Sequence, residues 1–239
     1  ASGSSSVATG GSLALISGSS KNGAGGDIKL KSGNSKTFTR GGSISIGTGS
    51  SMMAEGGGIG ISTGPSNGGR GGDIIMSIGG SDMGSGGDIY LRAGDSESST
   101  GGSVSLLSGK SAFGKSGGLF LKSGVAGVSS RSGDIEIATG KAKRGSGSIL
   151  IASGKSIERS GDIELKAGDS TSGQGGDFLM KAGSSGSSTG GHLSLNSGGS
   201  ALGNGGNIDI KTGGFGSSSQ SGSINIGTSS TNGGDSGDI

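Results

Sequence analysis

GGDIYLRAG, residues 86–94, is the stretch on which the reading of this chain turns. Ile89 and Leu91 alternate with Tyr90 and Arg92, and small Ala93 follows before Gly94. Apolar residues two apart point to one side of an extended segment, the pattern of a strand with one covered face. The same run returns as GGDIKLKSG (25–33), SGDIELKAG (160–168), GGDFLMKAG (175–183) and GGNIDIKTG (205–213). Aligned on one glycine, the anchor, the copies begin at 11, 26, 42, 57, 72, 87, 102, 117, 133, 147, 161, 176, 191, 206, 222 and 237. Ten of the fifteen spacings are 15 residues, three are 16 and two are 14. A period of this kind is the mark of a repeat array.

Within a copy, position +2 from the anchor is aliphatic or Phe throughout, from Leu13 and Ile28 to Ile224 and Ile239. Position +4 is Leu, Ile or Met, and +6 is Ser, Thr or Ala except at Ile78. Gly stands at +7 in fourteen of fifteen copies, Ser229 being the exception, and there it is expected to supply a turn conformation that other residues resist. Position +9 is small, as in Ser20, Ser51, Ser111 and Ala126, with Phe215 the misfit. Its parity predicts a second, shorter strand facing the first. Position +11 is apolar at Met53, Met83, Phe113, Val128 and Leu202.

These regularities predict an all-β, single-domain β-solenoid (β-helix) of about sixteen coils, one copy per coil. The coils are expected to form a flattened, two-sided stack at about 4.8 Å, with a three-sided coil as the alternative and like residues in ladders. The array is expected to run unbroken over 1–239, uncapped at both ends, as part of a longer chain. Sixty-two glycines rule out a helical reading, and the period argues against disorder.

Composition narrows function mostly by exclusion. Hydrophobic residues make up 27% of the chain and aromatics 3%, too few for a thick core. Nineteen basic and seventeen acidic residues are spread evenly, so no block of charge points to nucleic acid or to a membrane surface. No apolar run is long enough for a spanning helix. With no Cys there are neither disulfides nor thiol chemistry.

Three motifs invite chemistry. GKSAFGKS, residues 109–116, matches the phosphate-binding loop G-x-x-x-x-G-K-S. That loop needs a strand before it and a helix after it, whereas here both flanks are the same repeat, so the match reads as a turn. GGRGGDIIM (68–76) approaches the calcium-binding nonapeptide, but at the wrong period. Asp recurs at +1, and Asp73 with Asp88 and Asp162 with Asp177 are the best neighbouring pairs for a calcium ion. The competing reading is that Asp caps a turn. His192, the single histidine, stands at that same position. No nucleophile–base pair stands out from the repeat, and the expectation is that the chain is not an enzyme and takes no cofactor.

On the opposite face, Lys31, Arg92, Lys122, Lys166, Lys181 and Lys211 at +5 are balanced by acidic neighbours. Ile75, Tyr90, Leu107 and Phe120 interrupt that polar face and are the candidates for lateral contact with another subunit. The many Ser and Thr are candidate carriers of O-linked glycans, and no N-linked acceptor sequence is present.

The runs GGDIKLKSG, GGDIYLRAG and SGDIELKAGDS resemble the Gly-rich β-solenoid repeats of large secreted proteins, among them filamentous-haemagglutinin-like adhesins, phage tail fibres and microbial filament proteins. The resemblance implies a stiff, protease-resistant rod at the cell surface or outside it. The function expected is a structural component of a long fibre, partnered by copies of itself or by related fibre subunits. The alternative is an adhesin or tail-fibre shaft that presents a receptor- or glycan-binding surface.

Overall fold

The structure, a computed structural model, describes Gly3 and residues 9–37, 39–214, 220–229 and 237. The chain divides into two units, Ala1–Phe120 and Leu121–Ile239, and the division falls inside one repeat copy.

The repeat is visible as a rhythm of bends. They fall at +10 to +12 of successive copies, as at 52–54, 67–69, 82–84, 97–99 and 112–114 of the first unit and 171–173, 186–188 and 201–203 of the second. Between bends, the described residues contain no helix and no β-strand. The expected β-solenoid is therefore not formed, and the assignment to the all-β class is wrong for this chain. The reason lies in the backbone pairing. A strand exists only as one rail of a ladder, and eleven backbone–backbone hydrogen bonds join the described residues. A folded chain ordinarily carries about one hydrogen bond per residue, two-thirds of them between backbone groups. Alternation at +2, +4 and +6 is present, but consecutive copies do not run hydrogen-bonded side by side.

Ten of the eleven bonds are the same bond. The anchor N–H donates to the +7 carbonyl of the preceding copy, as in Gly26 to Gly18 at 2.8 Å, Gly102 to Gly94 at 2.9 Å and Gly176 to Gly168 at 2.9 Å. Each closes a loop whose far end is the bend. In the first unit six loops close this way, and in the second four. The +6 side chain sits beneath the closure. Its hydroxyl donates to the anchor carbonyl at Ser17 (to Gly26, 2.8 Å) and Ser32 (to Gly42, 2.9 Å). Ser17, Ser32, Ala93, Ala167 and Ala182, all at +6, are among the few residues with partial cover.

At several anchors this contact leaves no room for a side chain, whereas a Cβ at Gly133 would meet nothing within 4 Å. A Cβ at Gly57 would lie 3.0 Å from Thr48 Cβ, at Gly42 3.1 Å from Ser32 Cβ, and at Gly87 2.7 Å from Ile78 Cγ2. The +7 glycine behaves otherwise. At none of the fourteen does the backbone take a left-handed φ, and at all fourteen a Cβ would meet nothing within 4 Å. The conformational reason expected for it does not hold.

The +9 residue also corrects its expectation. It faces no second strand. Its hydroxyl accepts a hydrogen bond from the +12 N–H and so forms the bend, as in Ser20 with Gly23, Ser51 with Ala54, Ser81 with Gly84, Ser111 with Gly114 and Ser200 with Gly203, at 2.8–3.0 Å. This is local side-chain capping of a turn. Phe215, Asp238 and Ile239 lie outside the described residues.

No core is assembled. Among the described residues no hydrophobic and no polar side chain is buried, and the accessible surface is 24127 Å². A folded monomer of this mass exposes about 9,400 Å², and its unfolded chain about 32,000 Å².

Candidate functional site

GKSAFGKS is one closed loop of the array. Ser111 caps its bend through the Gly114 N–H (2.8 Å), and Gly117 N–H closes onto the Gly109 carbonyl (2.9 Å). Two of the glycines and the first serine of the motif are thus explained by repeat geometry, and no helix follows them.

The four aspartates considered for calcium do not converge. Asp73 pairs with Arg70 at 2.8 Å, and Asp162 with Arg159 at 3.3 Å. Asp88 accepts from the Tyr90 hydroxyl at 3.1 Å. Asp177 makes no hydrogen bond or ion pair among the described residues. No group of three His, Cys, Asp or Glu side chains that could hold a metal ion occurs among them. His192 is exposed, with no carboxylate beside it in an ion pair.

Ion pairing is local throughout. Lys29–Asp27, Lys166–Asp169, Lys211–Asp209 and Arg92–Asp95 join residues two or three apart, all of them exposed. With Arg70–Asp73 and Arg159–Asp162 they make six pairs among the described residues, while Lys31, Lys122 and Lys181 on the same face are in none of them.

The four lateral-contact candidates are all more than 80% exposed. Tyr90 leans back over the segment that precedes it, through its bond to Asp88. Phe120 does the same, its ring lying where a Cβ on Gly118 would come within 2.9 Å. Leu107 and Ile75 carry no such local anchor. The apolar residues at +11 stand fully exposed on the bends, as at Met53, Phe113 and Leu202.

The second unit holds an open depression of about 700 Å³ beside Ala167–Ser170, Gly175, Gly176, Gly213, Gly214 and Gln220. Its carboxylate, Asp169, is held by Lys166 at 2.8 Å, and its hydroxyl, Ser170, is spent on the Gly173 N–H. What remains is largely glycine backbone, with no converging acid, base or nucleophile.

The feature repeated most faithfully is a face. The +2 residues are systematically half covered, between 50% (Ile163) and 58% (Val104) exposed in every described copy after Leu13. The +4 residues are somewhat more open. Sequence reasoning placed these residues in a core, and the structure places them on a surface. The closure of the loops and the capping role of the +9 serine were missed. The recurrent spacing from Ser at +9 to the residue at +12 was the available signal for the second.

No protein family, no curated protein and no solved structure matches the chain.

Proposed function

We propose that this chain is a structural component of a long extracellular or cell-surface fibre, built by association of copies of itself or of related subunits. One observation carries the reading: a half-covered apolar residue recurs every 14–16 residues from Ile28 to Ile224, while no core is enclosed among the described residues. A chain of this kind gains order by association rather than by internal packing. The sparse chemistry of the loops supports a role without catalysis and without a cofactor. The surface serines and threonines are where O-linked glycans would attach.

The experiment is cryo-electron microscopy of the material in its natural source. A continuous filament with a regular axial repeat is expected. Separate particles in which the chain merely joins a globular tip to an anchor would overturn the reading.

A second reading, a shaft that presents a receptor- or glycan-binding surface, draws support from the +11 residues. Met53, Met83, Phe113, Val128 and Leu202 are fully exposed at the bends, away from the +2 and +4 face. Saturable binding of glycans or cells by the isolated chain, lost on Phe113→Ser, would favour it over the fibre.

A further inference from the structure

We propose that the +2 and +4 residues, together with the +7 glycines, are where a second copy of this chain seats, parallel and in register. The proposal rests on the fibre reading and adds the surface and the register.

Three observations identify the occupant. The first is the unexplained glycine. At +7 neither φ nor a neighbour within the chain excludes a side chain, yet glycine stands there in fourteen of fifteen copies. A glycine without an internal reason marks a place where another backbone comes close. The second is the open backbone. Beyond the single closure bond per loop and the turn Ser130 N–H to Gly127, the segments from +1 to +6 make no backbone pairs among the described residues. Backbone groups that leave water must be paired, and these recur in step with Ile44, Ile59, Ile74 and Ile89.

The third is the spacing. A partner that satisfies every copy must share the period of 15 and also its departures, 16 at 26–42, 117–133 and 206–222, and 14 at 133–147 and 147–161. A second copy of this chain meets that requirement at every anchor when parallel and unshifted. Read in the opposite direction, the central spacings fall out of step by up to two residues. The formal net charge is +2, so overall repulsion between two copies is small.

The test uses the whole 239-residue chain. It has no Cys, so a single introduced Cys can form a disulfide only with its own counterpart, and only if the two backbones come within about 7 Å. Ile28→Cys and Ile224→Cys, near opposite ends, are each expected to give covalent dimers under mild oxidation. In sedimentation the unmodified chain is expected to run as a multiple of 22.3 kDa. Ile163→Asp, which places a charge in the face, and Gly94→Val, which fills an open +7 position, are each expected to weaken association about tenfold or more.

A monomer in sedimentation overturns the proposal, whether or not that monomer binds lipid vesicles or another protein. So does cross-linking seen only when Ile28→Cys and Ile224→Cys chains are mixed, which means antiparallel pairing. Association unchanged by both Ile163→Asp and Gly94→Val removes the face and the glycine row from consideration. Filaments at the source together with a monomeric chain would sink this inference and leave the fibre reading standing. Self-pairing in register without filaments at the source would do the reverse.

Discussion

At the anchor position the room for a side chain is set by the +6 residue and differs from copy to copy. The squeeze is graded along the chain. It is tight at Gly57, where Thr48 Cβ stands 3.0 Å from the missing Cβ, and relaxed at Gly161, where Ser153 Cβ stands 3.9 Å away. Gly57→Ala is therefore expected to destabilise the assembled protein by about 1–3 kcal/mol. Gly161→Ala is expected to be neutral or to stabilise by up to about 1 kcal/mol through the unfolded chain. Denaturant titration of the two variants side by side checks the opposite signs. The +9 serine makes a second prediction. Ser81→Ala leaves the Gly84 amide without its acceptor, at a cost of about 1 kcal/mol. Hydrogen exchange at Gly84 should quicken about fivefold while exchange at Gly69, capped by Ser66, stays as it was.

At the scale of the loop, bend chemistry and copy length go together. All nine described copies of 15 residues whose bends lie within the structure use the +9 hydroxyl to hold the +12 N–H. Copies of other lengths show different contacts among the described residues, which leave out Phe38 and the bend after Gly206. In the 16-residue copy after Gly26, Ser35 binds Thr37 and Thr39 instead, and in the one after Gly117 the residue is Ala126 and the turn is held by Ser130 N–H on the Gly127 carbonyl at 3.1 Å. The 14-residue copies carry Ala142, with no hydroxyl, and Ser156, which reaches only to Glu158. Closure does not follow the +6 side chain alone. It measures 2.8–2.9 Å over Ser and Ala and 3.0 and 3.1 Å over Thr48 and Thr212, and it is missing over Thr63, Ile78, Ser123, Thr139 and Ser153. At Thr63 the side-chain hydroxyl still bonds the Gly72 carbonyl, at 3.1 Å, as Ser17 and Ser32 do beneath closed loops. Ile78→Ser should restore the bond from Gly87 N–H to the Gly79 carbonyl. About fivefold slower exchange at Gly87 would show it, and unchanged exchange would mean that something other than the Ile78 methyl holds the loop open.

Over the whole molecule, stability and association are expected to be one quantity, since no side chain is buried among the described residues. The denaturation midpoint should rise with chain concentration, as it does when only the assembled state is ordered. Added salt should change it little, because the ion pairs are exposed and local. A midpoint independent of concentration would contradict this. The contrast between what was legible and what was not has a physical source. Period, anchor and amphipathic alternation are properties of neighbouring residues, so Ile89, Leu91 and Gly94 declare them outright. Pairing is a property of two segments, and alternation at Ile89 and Leu91 says that one face wants cover without saying what covers it. The +9 serines were misread because a small residue and a hydroxyl acceptor are the same residue. The aspartates at +1 suggested a ligand set, whereas Arg70 and Arg159, three residues before them, had already claimed Asp73 and Asp162.

The closure bond, present in ten loops, also bears on how the proposed fibre would meet a pull. Each closed loop stores eight or nine residues between two backbone atoms that one weak bond holds together. Tension along the chain loads that bond first, and its release lets out about 20 Å of slack. The loops are separate, so they yield one after another and close again when the load is removed. The array is thus a series of small, reversible fuses, and the fibre's toughness would come from the part of the repeat that contributes least to its stability.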